Sequence, residues 1–457
     1  MDSGQIVEGL RGTFESGLTR SHDWRIAQLR ALRTMLRDEE DRIAAALQAD
    51  LGKSPTESFI SETNFVVKEI THTLGHLRRW LRPRRSGAPL LLAPSTAKTL
   101  LEPLGVALII SPWNYPVQLA LAPLVGALAA GNSMLLKPSE LAPHTSSLLA
   151  DLLPRYLDSR AVAVVEGGVE ETTELLAEKF DTIFYTGNGR VGRIVLEAAA
   201  KHLTPVTLEL GGKSPAFVDD SADLKTAAER IVWGKFLNAG QTCVAPDYVL
   251  TTPAVARKLT PQLYEAVRLL YGDAPRGNPD YGRIVNEQNF DRLVSYLPDG
   301  RAAVGGNHTK AALYIAPTVL TGVRADAPIM QQEIFGPILP IIEVADLNAA
   351  IDFVNKGDKP LSLYVFSNDA TTRSAWTLTT SSGAIGFNVA AAHLAVPSIP
   401  FGGVGASGMG GYHGLRSVQA FSHEKALFSK PLWPNTLALL RPPFTAERIK
   451  TIRRLLR

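Results

Sequence analysis

The chain has 457 residues and a single cysteine, Cys243. One cysteine cannot form an internal disulfide and provides no cysteine cluster for zinc, so we predict neither a disulfide framework nor a metal site. The first residues also lack the basic and apolar regions of a signal peptide. We therefore expect a cytoplasmic location, in which a lone thiol stays reduced.

The chain carries little net charge, because 47 Lys and Arg residues face 44 Asp and Glu residues, which leaves +3. A chain so close to neutral argues against a nucleic-acid partner, because nucleic-acid-binding proteins have a strongly basic face. The positive excess is confined to residues 441–457, where six basic side chains accompany one acid.

The end of this tail predicts a basic amphipathic helix over 446–457, with Ile449, Ile452 and Leu455 at helical spacing. We expect this helix to pack on the protein's own body or on a dimer partner. Weak peripheral contact with an anionic membrane is the alternative.

Long apolar runs are also scarce. Residues 117–136 carry no charge and approach the ~20 residues that cross a bilayer, but Pro123, Gly126 and Gly131 interrupt them. We predict instead a helix over 117–130 and a buried strand over 133–136, and hence no integral membrane segment.

Apolar spacing predicts helices over the first 80 residues and alternating strands and helices from residue 100 onward. Apolar runs predict strands at 106–110, 134–136, 162–165, 182–185 and 206–210, with helices at 144–157, 169–179 and 189–201. Such alternation implies a parallel sheet covered on both faces. A second alternating region runs from about 216 to 420, so the fold class is α/β, with ligands expected beyond the carboxyl ends of the strands.

Cys243 ends the segment Asn238-Ala-Gly-Gln-Thr-Cys243, which follows a predicted amphipathic helix. A lone cysteine in a long intracellular enzyme is a candidate nucleophile, whereas most free cysteines are small buried hydrophobic residues. Gly240 and the polar residues after it suit a loop with accessible backbone more than a core strand. The position of Cys243 therefore favours the nucleophile.

Glu209 ends an apolar strand just before two glycines. A carboxylate partly removed from water has a raised pKa and can act as a general base near neutral pH, but it can also merely bond to the glycine turn. Gly187, Gly189 and Gly192 form a GxGxxG pattern between a strand and a helix. That fingerprint expects an acid about 20 residues later to bind a ribose. Spacing alone leaves Glu209 as either a base or a ribose ligand.

Polar groups also follow two other predicted strands. Asn114, between Pro112 and Pro116, brings an amide donor that suits an oxyanion, although turn amides often bond their own backbone. Lys137 and Glu140 follow the next strand. They could hold two ribose hydroxyls or form only a surface ion pair.

Together these segments resemble the aldehyde dehydrogenase superfamily over about residues 20–445. The matching strings, in order, are PWNYP (112–116), KPSE (137–140), FYTGNGRVG (184–192), LELGGKSP (208–215), GQTC (240–243), EIFGP (333–337) and PFGGVGASGMGGYHG (400–414). Tyr115 and the FSH string at 421–423 make class 3 the most similar group. That class oxidises aromatic and medium- to long-chain aliphatic aldehydes.

The resemblance implies that Cys243 is the nucleophile, that Glu209 is the general base, and that Asn114 and the Cys243 main-chain N–H form an oxyanion hole. NAD is the implied cofactor, with NADP as an alternative. The implied cofactor contacts are Lys137, Glu140, Gly187, Asn188, Gly189, Arg190, Val191, Gly192, Glu333 and Phe335. The implied walls of the substrate pocket are Tyr115, Trp233 and Phe401, with Phe65 as a further candidate.

The same resemblance implies a Rossmann-like NAD-binding domain formed by residues 1–81 and 101–210, and an α/β catalytic domain formed by 211–420. Residues 82–100 and 421–457 would form a small bridging β segment and tail in a homodimer. The implied reaction is oxidation of an apolar aldehyde to a carboxylic acid through a thiohemiacetal and a thioester.

Two other functions compete with this one. A coenzyme A-acylating dehydrogenase is disfavoured because a water-activating Glu209 would waste the thioester. A non-catalytic dinucleotide-binding protein is disfavoured because Cys243, Glu209 and Asn114 are all present.

Overall fold

The computed structural model describes residues 2–455. The α-helices of this part are α1 (Ser3–Glu15), α2 (His22–Asp38), α3 (Glu40–Leu51), α4 (Pro55–Ser58), α5 (Asn64–Trp80), α6 (Gln118–Ala130), α7 (Pro143–Tyr156), α8 (Val169–Ala177), α9 (Gly189–Ala200), α10 (Leu224–Phe236), α11 (Pro253–Tyr271), α12 (Glu287–Val294), α13 (Pro328–Gln331), α14 (Leu347–Lys356), α15 (Ala370–Thr379), α16 (Leu415–Ala420) and α17 (Ala446–Leu455). The strands are β1 (Arg84–Ser86), β2 (Thr96–Pro103), β3 (Val106–Ile110), β4 (Ser133–Lys137), β5 (Val162–Val164), β6 (Thr182–Thr186), β7 (Val206–Glu209), β8 (Pro215–Val218), β9 (Tyr248–Thr251), β10 (Arg301–Val304), β11 (His308–Thr309), β12 (Tyr314–Ile315), β13 (Thr318–Thr321), β14 (Ile338–Glu343), β15 (Ser362–Phe366), β16 (Ala384–Phe387), β17 (Gly408–Met409) and β18 (Ser422–Ser429). The predicted α/β alternation is confirmed.

One sheet has the order β17-β7-β6-β3-β4-β5 and is parallel except for β17. From β3 the chain builds outward through β4 and β5, and then returns to build the other side through β6 and β7. The strand order therefore reverses between β3 and β6, which is where open α/β sheets bind ligands. The segments that follow these two strands contain Asn114 and the GxGxxG turn.

The uncharged run at 117–136 forms α6, a turn and β4, as predicted. Every residue of α6 is buried, because the helix lies between the strands β3 and β4 and the helices α2 and α5. A helix enclosed on all sides is apolar all round, which explains its likeness to a membrane segment. In residues 2–455, no helix combines the length and apolar character needed to cross a bilayer.

The other large sheet has the order β10-β13-β14-β9-β8-β15-β16 and is parallel except for β10. It lies within residues 301–387 and 215–251, which belong to the implied catalytic domain. Tyr364, on β15, donates a hydrogen bond from its hydroxyl to the main-chain oxygen of Val244 at 2.6 Å. This contact ties the segment just after Cys243 to the second sheet.

The glycine-rich segment 401–414 returns from the second sheet to the first. Its strand β17 pairs antiparallel with β7, and Gly408 lies opposite Glu209. At Gly408 φ is +147°, and a side chain there would meet the main-chain oxygen of Leu208, so only glycine fits. The implied catalytic domain thus supplies an edge strand to the implied cofactor domain, which the sequence did not indicate.

A smaller sheet has the order β1-β2-β18 and joins residues 84–103 to residues 422–429, and the bridging role implied for these segments stays a prediction. The tail helix α17 contacts the turns at 90–92 and 436–440 of its own chain. Residues 456 and 457, the end of the predicted helix, lie outside the described residues.

Candidate active site

The loop that carries Cys243 begins with three consecutive residues in the left-handed region. Their φ values are +52° at Asn238, +52° at Ala239 and +75° at Gly240. Such a conformation costs a non-glycine residue about 1–3 kcal/mol, so surrounding contacts must hold it. A side chain at Gly240 would meet the main-chain oxygen of Gly336. The turn therefore packs backbone to backbone against the segment 333–337.

Asn238 is the residue that fixes this turn. Its main-chain N–H donates to Glu57 Oε1 at 2.8 Å, and its Nδ2 donates to the Asn114 main-chain oxygen at 2.7 Å. Gln241 adds a second anchor, because its Nε2 donates to the main-chain oxygens of Asn238 at 3.1 Å and Arg283 at 2.9 Å. These bonds hold the left-handed turn at residues 238–240, which precedes Cys243, in one geometry.

Asn114 is buried beside the same loop. Its Nδ2 donates to the Gln241 main-chain oxygen at 3.0 Å, and the adjacent Tyr115 hydroxyl is 2.7 Å from Thr242 Oγ1. The turn that follows β3 is thereby joined to the residues just before Cys243. An amide nitrogen carries two N–H groups, so Asn114 keeps one more donor after its bond to Gln241.

Glu209 lies at the carboxyl end of β7 and is only 3% exposed. Neither of its carboxyl oxygens has a hydrogen-bond partner among the described residues. The hypothesis that Glu209 merely bonds to the glycine turn is therefore wrong. Burial raises the pKa of Glu209 well above its ordinary value, because removal from water disfavours the charged form.

The thiol of Cys243 faces two carboxyl groups. Burial first, and then the charges of Glu333 and Glu209, raise the pKa of Cys243 to about 12. Burial, reinforced by Asp247, also raises the pKa of Glu333 to about 8. The charges of Glu209 and Glu333 act on Cys243, which is partly buried, so these three side chains lie near one another and the protonated thiol is favoured.

Unpartnered hydroxyl groups line the crevice at the reversal point of the first sheet. Ser111 follows β3 and Thr186 ends β6; both are buried, and their hydroxyl oxygens have no hydrogen-bond partner among the described residues. With Glu209 on β7, three neighbouring strands end in polar atoms without partners. Since buried polar groups normally are hydrogen-bonded, these atoms fit a polar ligand such as a dinucleotide.

The other predicted cofactor residues border this crevice. Asn188 Oδ1 accepts the Val191 N–H at 3.0 Å and caps α9, so the GxGxxG turn leads from β6 into a helix N-terminus that suits a pyrophosphate. At the end of β4, the buried Lys137 Nζ lies 3.2 Å from Oε2 of the half-exposed Glu140. The chain therefore has groups for both the phosphates and a ribose, and the arrangement fits NAD or NADP.

Glu333 and Phe335 close the crevice from the second sheet. A side chain at Gly211 would overlap the Glu333 carboxyl group, so that carboxyl group lies directly against the loop after β7. Phe335 has a left-handed φ of +48°. Its ring packs edge-on against Trp113 at 5.4 Å between centroids, which joins the loop after β3 to the segment 333–337.

The predicted substrate walls are only partly brought together. The Phe401 ring stacks on His413 at 5.5 Å, and His413 lies 5.6 Å from Phe65. Phe65 also lines a cavity of about 180 Å³. Trp233 is 41% exposed on α10 and makes none of the aromatic contacts found for the described residues.

Comparison with known proteins identifies the family. A model of the aldehyde dehydrogenase family matches residues 11–427. The chain belongs to the aldehyde dehydrogenase family. It is similar to bovine (Bos taurus) aldehyde dehydrogenase family 3 member B1, with 48% identity over 98% of this chain and 96% of the relative. It is also similar to the rat (Rattus norvegicus) protein named aldehyde dehydrogenase, dimeric NADP-preferring, with 47% identity over 93% and 94%.

Solved structures agree with this assignment. The substrate-bound structure of AldH from Staphylococcus aureus has a TM-score of 0.97 at 41% identity and covers 99% of both chains. The indole-3-acetaldehyde dehydrogenase AldA of P. syringae, in complex with NAD+ and IAA, has a TM-score of 0.86 at 25% identity, over 94% of this chain and 89% of that one. This aldehyde dehydrogenase therefore oxidises aldehydes with NAD(P).

One buried cation in the dehydrogenase was not predicted from the sequence. Lys235 is fully buried and its Nζ has no hydrogen-bond partner among the described residues. Burial lowers its pKa to about 8, opposed by Asp247 and Glu333. The sequence did indicate that Lys235 is buried, because it follows the buried residues Ala227 and Ile231 at four-residue spacing along α10.

The prediction of no metal site passed over one His-x-x-x-His pair, His72 and His76 on α5. Their rings lie 4.3 Å apart, and His76 Nδ1 is 2.7 Å from the His72 main-chain oxygen. In residues 2–455 of the dehydrogenase, no group of three or more His, Cys, Asp or Glu residues could hold a metal ion.

Replacing Glu209 by glutamine should make the dehydrogenase relatively more stable as the pH rises. The raised pKa means that folded Glu209 holds a proton which the unfolded chain releases above its ordinary value of 4.5, so the wild type loses stability between that value and the folded pKa, by up to about 1.4 kcal/mol per pH unit. We expect melting temperatures of variant and wild type to be similar at pH 5 and the variant to melt several degrees higher at pH 8.5.

Glu343→Gln is the matched control, because Glu343 also ends a strand but is exposed. Its melting difference from the wild type should not change with pH. A Glu209→Gln variant that becomes less stable than the wild type at pH 8.5 would show that the folded carboxylate is charged and partnered.

Proposed function

We propose that this dehydrogenase oxidises apolar aldehydes, aromatic or medium- to long-chain aliphatic, with Cys243 as nucleophile, Asn114 as oxyanion donor and Glu209 as general base. The observation that carries the proposal is the convergence of these groups. The thiol of Cys243 lies within the electrostatic influence of Glu209, and the Asn114 amide is bonded to the loop two residues before Cys243.

In the first half of the reaction, the Cys243 sulfur bonds to the aldehyde carbon, and the ionised Glu209 takes the thiol proton and passes it to solvent. The carbonyl oxygen becomes an oxyanion, which the free N–H of Asn114 and the Cys243 main-chain N–H stabilise. Loss of one such donor typically costs on the order of 10²–10³ in rate. A bound nicotinamide ring supplies the hydride acceptor that turns the adduct into a thioester.

In the second half, Glu209 takes a proton from water, and the resulting hydroxide attacks the thioester carbon. The C–S bond then breaks and the carboxylic acid leaves, and the Cys243 thiolate takes the proton held by Glu209, which restores the thiol and the base. Glu209 can act as a base only after it loses the proton that burial favours. Entry of water and polar ligand groups lowers its pKa, because it restores solvation.

For the cofactor, Gly187 to Gly192 would lie along the pyrophosphate and adenine side, and Lys137 and Glu140 would hold the adenosine ribose. Glu333 would hold the nicotinamide ribose, with Phe335 beside the ring. The unpartnered hydroxyl groups of Ser111 and Thr186 support this placement.

For the substrate, the aromatic contacts among Phe65, His413 and Phe401 support an apolar pocket. Burial lowers the pKa of His413 to about 3, so its imidazole is neutral and compatible with such a pocket. Trp233 and Tyr115 remain proposed walls. The coenzyme A-acylating alternative is disfavoured, because Glu209 at the thioester would direct water to it.

Steady-state NADH formation with hexanal and benzaldehyde tests this function. Cys243→Ala should abolish oxidation while NAD binding, measured by fluorescence titration, is retained, because the chain contains no second thiol. Glu209→Gln should give a burst of NADH followed by a slow steady rate, since the thioester then accumulates. Substantial turnover by Cys243→Ala would contradict the assignment. Acyl-coenzyme A as the main product in the presence of coenzyme A would favour the acylating alternative.

The choice of cofactor is a second test. Glu140 should accept hydrogen bonds from ribose hydroxyls and repel a 2′-phosphate, which favours NAD, although one relative is named NADP-preferring. We expect Glu140→Gln to raise kcat/KM for NADP and to lower it for NAD. Glu170→Gln, which changes an exposed acid on α8, is the control. A wild-type kcat/KM for NADP at or above that for NAD would contradict the role of Glu140.

We also propose a homodimer assembled through β18. This strand pairs with β2 along one edge only, and it exposes Leu427 and Phe428. Free strand edges readily pair with another chain, and one relative is named dimeric. Sedimentation velocity at micromolar concentration should give the mass of two chains, and a monomer there would refute the proposal.

A further inference from the structure

A buried lysine lies beneath the proposed oxyanion donor. Neither Lys53 nor Glu62 has exposed side-chain surface, and Lys53 Nζ donates to Glu62 Oε1 at 2.6 Å. The same Nζ donates to the Asn114 main-chain oxygen at 2.9 Å and lies 3.9 Å from the centroid of the Tyr115 ring. One cation therefore contacts Asn114 and Tyr115, two neighbouring residues of the turn that follows β3.

Glu62 extends this contact to the start of α6. Its second oxygen, Oε2, accepts the main-chain N–H groups of Val117 at 3.1 Å and Gln118 at 2.7 Å. A carboxylate is favourable at a helix N-terminus. The Lys53–Glu62 pair thus holds both ends of the segment 114–118: the carbonyl oxygen at its start and two N–H groups at its end.

Stability alone does not explain this pair. Buried ion pairs seldom stabilise a fold more than apolar residues of the same volume, because two charges must leave water. What the pair determines is the position of a peptide. The Asn114 oxygen is held by Lys53 from the N-terminal helices and by Asn238 Nδ2 from the Cys243 loop, at 2.7 Å.

We propose that Lys53 is a positioning residue for aldehyde oxidation. It holds the Asn114 peptide so that the side-chain amide stays directed at the oxyanion beside Cys243. The inference rests on the proposed role of Asn114 as oxyanion donor. A displacement of about 1 Å at a reacting centre can cost about 10²-fold in rate, so a group that fixes this peptide affects the rate without touching the substrate.

The test is a mutant cycle built on the full-length enzyme. The double variant Lys53→Met/Glu62→Gln removes both members of the pair, so that neither is left buried without the other. With Asn114 intact, it should lower kcat/KM for benzaldehyde and the pre-steady-state rate of NADH formation by about 10- to 100-fold, with the Kd for NAD unchanged. With Asn114→Ala, the same double change should cost less than about 3-fold, because the group that it positions is gone.

Arg25→Met provides a matched control. Arg25 is also a buried cation that holds main-chain oxygens, those of Thr19 at 3.1 Å and Ala129 at 3.3 Å, but it does not contact the segment 114–118. This variant should lower the melting temperature and leave kcat/KM unchanged at temperatures where it is folded. If Arg25→Met lowered kcat/KM as much as the double variant does, the effect would be one of general destabilisation and the proposal would be overturned.

The cycle separates two failures. If Asn114→Ala alone leaves the rate unchanged, the oxyanion role itself is wrong. If Asn114→Ala slows the reaction and the Lys53 and Glu62 changes cost the same factor in both backgrounds, the positioning role is wrong. Should the double variant not fold, Lys53→Gln/Glu62→Gln keeps more polar contacts, and the same coupling to Asn114 must appear or the proposal fails.

Discussion

Exclusion of water from the carboxyl end of β7 is the constraint on which the rest of the site depends. Within residues 2–455, neither oxygen of Glu209 has a hydrogen-bond partner, and the partly buried Cys243 thiol lies near two carboxyl groups. Burial therefore favours the protonated form of both groups. A dry site strengthens every electrostatic interaction within it, so a single amide donor such as Asn114 can have a large effect on an oxyanion.

Such a site lowers the stability of the fold locally, and the rest of the fold must offset this free energy. The turn before Cys243 is strained at Asn238 and Ala239, and the buried Lys235 has no hydrogen-bond partner in the described part of the chain. The apolar cores of the two sheets supply the necessary stability. Backbone strain and buried charge that lie close together are typical of a functional site, where catalysis and not local conformational preference determines the geometry.

Much of the fold was predictable because the strands of the two parallel sheets are covered on both faces. Apolar runs such as 106–110 and 182–185 therefore indicate strands directly, and the segments after them fall at the reversal point of the sheet. The grouping of Asn114, Glu209 and Cys243 came from the family resemblance, and the geometry is consistent with it. The GxGxxG turn was predicted from its strand–turn–helix setting.

Contacts between distant segments were not predictable. Nothing in the sequence pairs Lys53 with Glu62, because their meeting depends on how a helical segment folds back beneath the turn after β3. The docking of β17 on β7 was also missed, since two residues in a glycine-rich segment carry no strand pattern. Trp233, which the resemblance implied as a pocket wall, is 41% exposed on α10 and stays a prediction.

The pairing of Glu209 with Gly408 also has a consequence for biosynthesis. The two residues are about 200 positions apart. The strand β2 likewise pairs with β18, which lies far along the chain. A ribosome releases the chain from its N-terminus, so the edges of β7 and β2 stay open while most of the second sheet is being made. Open edges invite pairing with other chains, and closing such long loops is slow. The strand that covers the edge of β7 beside Glu209 is therefore added only after most of the chain has been made.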